Sequence, residues 1–166
     1  MDGTAYVLDA NVFIQAARRY YAFDLAPGFW QSLIDHAATG RIRSIDRVKQ
    51  ELLRGNDDLA NWAKRDFAHA FHSTDEPDVT GAYRDVIAWV QSQAQFFDAA
   101  KAEFANVADG WLVAFAKAKG CIVVTHEVLA PGRQNNVPIP NVCQALDVPF
   151  VDTFQMLRNL GVRWAR

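Results

Sequence analysis

The sequence predicts an α/β protein whose parallel sheet is covered by helices on both faces. Two apolar runs carry that reading: "YVLD" near the start and "CIVVT" after residue 120 are continuous rather than alternating, as in strands buried on both sides. Between them, apolar residues recur at three- and four-residue steps, so helices separate the strands, the pattern of a parallel sheet. In such sheets ligands gather beyond the carboxyl ends of the strands, where the strand order reverses.

The first strand covers residues 5–8 and stops at Asp9; a helix follows from Asn11 through Ile14, Ala16 and Ala17. Pro27 opens the next helix, with Phe29, Trp30, Leu33, Ile34 and Ala37 on one face and Gly40 as its stop. Residues 42–45 alternate as a second strand. Asp46 can then cap a helix that turns Val48, Leu52 and Leu53 inward and ends at Gly55. Leu59, Trp62, Ala63, Phe67, Ala70 and Phe71 predict one amphipathic helix, and Tyr83, Val86, Ile87, Val90 and Ala94 another after a turn at 74–78. Asn106 is the expected cap, and Gly120 the stop, of a helix holding Val107, Trp111, Leu112, Phe115 and Ala118. Residues 121–125 form the third strand and 149–151 a shorter one, before a last helix capped by Asp152 or Thr153 and ended by Gly161. With no repeat or linker in its 166 residues, the chain is expected to form one domain, 1–166, able to bury a core unaided by staples.

Composition narrows the function. Apolar residues are 51% and charged residues 22%, a globular composition. A net charge of −2 excludes a polycation, although Arg18 and Arg19 beside Tyr20 and Tyr21, and the group Arg41, Arg43 and Arg47, are locally basic. Such groups serve either as solvated surface or as contacts for a nucleic-acid backbone. No run approaches the roughly 20 apolar residues of a membrane span, and no signal-type segment opens the chain, so a cytoplasmic protein is expected. Cys121 and Cys143 lack metal-type spacing and read as buried thiols, with neither zinc nor a disulfide expected.

Four acids fall where strands end or the following helices begin: Asp9 after the first strand, Glu51 in the helix after the second, Asp109 in the first turn of a later helix, and Glu127 just past the third strand. Each has a plain use. Asp9 can cap a helix, Glu51 and Glu127 can be solvated, and Asp109 can share a capping box with Asn106. Together at one sheet edge they are unfavourable, since two carboxylates at 4 Å repel by about 4 kcal/mol at an effective dielectric near 20. A hard cation such as magnesium or manganese, which takes oxygen ligands, would relieve this and polarise a phosphodiester.

The stretches "YVLDANVFI", "VKQEL", "ADGWLVAFAKAKG" and "CIVVTHE", in this order from Tyr6 to Phe154, resemble a PIN domain. "FDLAPGFWQSLI" and "VPIPNVCQAL" further resemble a prokaryotic subgroup whose biology is poorly defined, within a wider family that includes the VapC-like toxins. The resemblance implies a three-layer α/β/α fold with a central parallel sheet and a Mg²⁺- or Mn²⁺-dependent endoribonuclease acting on single-stranded RNA. It matches Asp9, Glu51, Asp109 and Glu127 to the catalytic acids, with Asp9, Asp109 and Glu127 as the metal ligands. Asn11 and Thr125 match supporting polar positions, and Arg18, Arg19 and Arg133 are candidates to hold the substrate. It also implies a toxin–antitoxin system, with a cognate antitoxin and a homodimer. The fourth acid departs from the usual aspartate, and His126, between Thr125 and Glu127, reads as an orienting or surface residue.

Three alternatives remain. A haloacid-type phosphatase needs a second acid where Asn11 stands, and a phospho-receiver needs a late strand-end lysine that neither Thr125 nor Asp152 supplies. The third is a catalytically weak PIN-like module that binds RNA or protein. For such a partner, the aromatic segments 59–71 and 83–97 offer either a docking surface or core packing.

Overall fold

The computed structural model describes residues 3–163. Five strands, β1 (Tyr6–Leu8), β2 (Ile42–Ile45), β3 (Phe71–His72), β4 (Ile122–Val124) and β5 (Phe150–Val151), form one sheet in the order β3-β2-β1-β4-β5, with every pair parallel. The order reverses between β1 and β4. These two strands pair Tyr6 with Ile122, Val7 with Val123 and Leu8 with Val124.

Helices α1 (Ala10–Gln15), α2 (Pro27–Ala38), α3 (Asp46–Leu53), α4 (Asp58–Arg65), α5 (Pro77–Ser92), α6 (Asp98–Asn106), α7 (Asp109–Lys119), α8 (Ile139–Ala145) and α9 (Thr153–Asn159) pack around the sheet. A π-helical turn, Ala16–Tyr20, continues α1, and Pro27 holds the first position of α2 as expected. Gly40 and Gly120 follow their helices in left-handed conformation, at φ 77° and 69°.

Several expectations need correction. The helix through Leu59 ends at Arg65, and the chain turns through Ala68–Ala70 into β3, the edge strand. Phe67 and Phe71 kept the helical spacing only because both pack on the core from a turn and a two-residue strand. α5 closes at Ser92, short of Ala94, and α3 ends at Leu53, which is half-buried rather than inward. Asp46 is the first residue of α3 rather than its cap; its carboxylate accepts from Thr74 N (3.1 Å) and Thr74 Oγ1 (2.9 Å), fastening the loop after β3 to α3. Asn106 ends α6 instead of capping α7, which starts from Ala108 without a side-chain cap. Asp152, not Thr153, caps α9 by accepting from Gln155 N at 2.8 Å.

The buried apolar residues form one contiguous core. On one side Trp62 stacks on Phe67 with ring centroids 4.6 Å apart, and Phe13 and Trp30 close around them, so segment 59–71 serves packing rather than a partner surface. In segment 83–97, Val86 and Val90 are buried while Tyr83 stacks on Trp111 at 3.7 Å, holding α5 to α7. Gly110 lets the start of α7 come this close, since a Cβ there would stand 3.0 Å from Phe104 and 3.1 Å from Tyr83. The packing thereby sets the position of its neighbour, Asp109. Cys121 and Cys143 are both buried, and burial pushes the Cys143 thiol up to about 12. Among the described residues no helix is long and apolar enough to cross a membrane.

Candidate active site

The β1–β4 register, extended by one residue, sets Asp9 opposite Thr125. Strand pairing reaches this far: Asp9 N donates to Val124 O (3.0 Å) and Thr125 N to Val151 O (3.0 Å). Asp9 is only 3% exposed, and although the Asn11 N–H at the start of α1 acts on its carboxylate, the geometry falls short of a capping hydrogen bond. Instead Thr125 Oγ1 donates to Asp9 Oδ2 at 3.1 Å and accepts from Glu127 N at 3.1 Å. One hydroxyl thus joins two acids from neighbouring segments. Glu127 Oε1 in turn accepts from Ile139 N at 3.0 Å, at the start of α8.

A cleft of about 410 Å³ opens here, lined among others by Asn11, Glu103, Asp109, His126, Glu127 and Arg133. Asn11 is exposed at its wall, while Asp9 is buried and meets the cleft through Thr125 and Glu127. Burial is the largest influence on the acids, disfavouring their charged forms. It pushes Asp9 up to about 7, aided by the charges of Glu127 and Glu51 and opposed by the Thr125 hydroxyl and the nearby Asn11 N–H. Asp109 is pushed up to about 8, by burial first and then by Asp9, Glu127, Glu51 and Glu103. Burial also raises Glu127, against the Ile139 N–H and the charge of Arg133. Glu51, Asp9 and Glu127, from three other segments of the chain, thus act on Asp109 through their charge, and Glu51 and Glu127 act likewise on Asp9.

The four acids are not equivalent. Glu51 is half-buried on α3 and lines a separate hollow of about 150 Å³ together with Arg18, acting on Asp9 and Asp109 through its charge. Arg18 and Arg19 are exposed on the π-helical turn and outside the cleft lining, whereas Arg133 belongs to it. Of the two tyrosines, Tyr21 stacks on Phe29 at 4.3 Å, while Tyr20 is exposed and packs against His126 (5.9 Å) and Phe154 (5.7 Å). His126 Nε2 lies 3.0 Å from Thr153 Oγ1, and burial lowers its pKa against the charge of Asp152. Glu103 went unrecognised in the sequence because α6 itself was not foreseen; its one signal is its place beside the buried Phe104.

The donor set is all oxygen and hard, the chemistry of magnesium or manganese rather than of zinc. Among the described residues no three Asp, Glu, His or Cys side chains stand together as a ready cage. An ion of this kind needs only one or two direct carboxylates and keeps several waters, so the residues suit a hydrated cation in an over-acidic cleft.

Element order and topology give the chain a PIN-like α/β/α fold, with the cleft near the switch point of its parallel sheet. The chain belongs to the family described as a domain of unknown function (DUF4411), whose model matches residues 6–164. Among solved structures it is similar to VapBC2 from Rickettsia felis bound to a DNA fragment from their promoter, at 14% identity over 90% of this chain and 98% of that one, with a TM-score of 0.56. It is also similar to FitAcB from Neisseria gonorrhoeae, at 20% identity over 87% of this chain and 95% of that one, with a TM-score of 0.52. At these identities the likeness is one of fold. No curated protein matches the sequence.

Proposed function

We propose that the chain is a divalent-metal-dependent endoribonuclease that cuts single-stranded RNA and acts as the toxin of a toxin–antitoxin pair. The observation that supports it most is the convergence of three acids: Asp109 and Glu127 line one cleft, and Asp9, buried behind it, is tied by the Thr125 hydroxyl to the Glu127 backbone, with burial raising Asp9 to about 7 and Asp109 to about 8. Two acids kept this far from their ordinary range mark a site awaiting positive charge. Asp9, Asp109 and Glu127 would hold Mg²⁺ or Mn²⁺, with Thr125 fixing Asp9 and the Glu127 backbone, and Asn11 at the cleft wall. When bound, the cation supplies Lewis acidity to a phosphodiester oxygen and to the attacking water.

Glu51 takes the proton of that water, the water oxygen bonds to phosphorus, and the bond to the 3′ oxygen breaks. The leaving 3′ oxygen takes a proton from solvent, giving 5′-phosphate and 3′-hydroxyl ends. Arg133, on the cleft wall, and Arg18 and Arg19, outside it, hold the RNA backbone. The domain, 1–166, would work in the cytoplasm as a homodimer restrained by a cognate antitoxin. Structural likeness to VapBC2, solved with promoter DNA, supports seeking such a partner.

Glu127 Oε1, engaged by Ile139 N–H, and the lack of a ready cage among the described residues favour a second reading, a PIN-like module that binds RNA and cuts it weakly. One cleavage assay separates the two. Single-stranded RNA with Mg²⁺ or Mn²⁺ should be cut by the wild type and spared by Asp9→Asn and Asp109→Asn. RNA bound but never cut supports the weaker module, and cutting unaffected by EDTA or by both substitutions overturns the proposal.

A further inference from the structure

Beside the acidic cleft lies a second, more open hollow of about 500 Å³, and Arg133 belongs to both linings. Phe97 forms one side of it, with Gly132, Gln134 and Asn135 around the rest. In a chain that buries most of its large aromatics, Phe97 is 55% exposed while its neighbour Phe96 is 3% exposed and anchored in the core.

The exposed ring does not sit on a loose loop. Phe97 N donates to Gln134 O at 2.9 Å, and Gln95 Nε2 donates to Pro131 O (2.7 Å) and Arg133 O (3.1 Å). Within the loop, Arg133 N donates to Ala130 O at 3.0 Å and Arg133 Nη1 to Asn136 Oδ1 at 3.0 Å. These five hydrogen bonds fix the backbone that carries Phe97, Arg133 and Gln134, and one of them also holds the Arg133 guanidinium, so the frame of the hollow is set before a ligand enters. The charge of Arg133 also reaches Glu127, which places the cation between the acids and the ring.

We infer that this hollow is a nucleobase subsite: a base next to the scissile phosphodiester stacks on Phe97, Gln134 or Asn135 meets its edge, and Arg133 holds the phosphate between. The assignment rests on the nuclease proposed above. Stacking on an aromatic ring beside a cation is how unpaired bases are held, and carboxamides offer both donors and acceptors to a base edge. A helical protein partner would instead need a row of large apolar anchors, and beside Phe97 the hollow is lined by Ala130, Pro131, Gly132, Arg133, Gln134 and Asn135, with no second large apolar side chain.

The test measures binding of a fluorescently labelled single-stranded RNA in Ca²⁺ and its cleavage in Mg²⁺ or Mn²⁺, for the full chain and its variants. Phe97→Ala should weaken binding about tenfold or more, while Phe97→Trp keeps it. Arg133→Ala should lower the dependence of log affinity on log salt by about one, whereas Phe97→Ala leaves that slope unchanged. Because the ring is exposed, both Phe97 variants should melt like the wild type, and Phe97→Leu, equally apolar but flat-faced no longer, should bind as poorly as Phe97→Ala. Equal RNA affinity of wild type and Phe97→Ala, or loss of affinity for a protein partner alone, overturns the subsite. A wild type that cuts RNA with KM unchanged by Phe97→Ala ends the subsite and leaves the nuclease intact. Phe97-dependent binding without cleavage does the reverse, and a wild type that neither binds nor cuts RNA ends both.

Discussion

Replacing Asp9 by asparagine should make the metal-free protein more stable, although it removes a residue assigned to the active site. The carboxyl is 3% exposed and raised from its ordinary 3.8 to about 7, so the folded state resists its ionisation. At about 1.4 kcal/mol per pH unit, that rise sets a ceiling of about 4 kcal/mol on the cost of the ionised form. Asparagine keeps an oxygen for the Thr125 hydroxyl but buries an NH₂ group, which returns about 1–2 kcal/mol. A net gain of about 2 kcal/mol is left, worth about 4–8 °C in Tm for a chain of this length. The assay is thermal unfolding in EDTA near about pH 8, where the wild-type acid is charged. Added Mn²⁺ should reverse the order, because only the wild type gains from binding. An Asp9→Asn protein that melts below the wild type in EDTA, or that gains as much from Mn²⁺, would refute the reasoning.

Without metal, wild-type stability should fall as pH rises. Asp9 and Asp109 have folded pKa values of about 7 and 8 against 3.8 unfolded, so the native state holds more protons across that window and melts progressively lower from about pH 4 to 8; a Tm that climbs toward about pH 8 in EDTA contradicts the assignment. Glu127→Gln keeps an oxygen for Ile139 N–H and Glu127→Ala does not, so in EDTA the alanine variant should melt about 2–4 °C below the glutamine one, the loss of about 1 kcal/mol; equal melting removes the structural role of Oε1. Thr125→Val deletes the hydroxyl shared by Asp9 and Glu127, and should cost about 1–3 kcal/mol and move the Asp9 titration further upward, followed by carboxyl ¹³C shifts; an unmoved Asp9 titration shows that the hydroxyl does not hold it.

The acids were legible because strand ends are legible. An apolar run that stops at Asp9, and another that stops at Thr125, give direction and edge at once, and the parallel β1–β4 pairing then brings the two side chains together. What failed was local. α8 carries Pro138 and Pro140 around its first residue, which reads as a turn, and α6 is weakly amphipathic with two buried residues, Ala100 and Phe104. Missing α6 hid Glu103 and misassigned Asn106 as a cap. β3 was absorbed into a helix because two residues cannot display alternation. Nor does spacing reveal that Glu127 also serves α8, or that Glu51 faces a hollow of its own, since both depend on how remote segments pack.

Calorimetric titration with Mn²⁺ near about pH 6.5, in two buffers of different ionisation enthalpy, tests most directly whether these carboxyls hold a cation, because binding must strip the protons that burial keeps on them. With Asp9 near 7 and Asp109 near 8, between about one and two protons should leave per ion bound, and close to none near about pH 9. Absence of binding, or binding that releases no protons at the lower pH, would contradict the account.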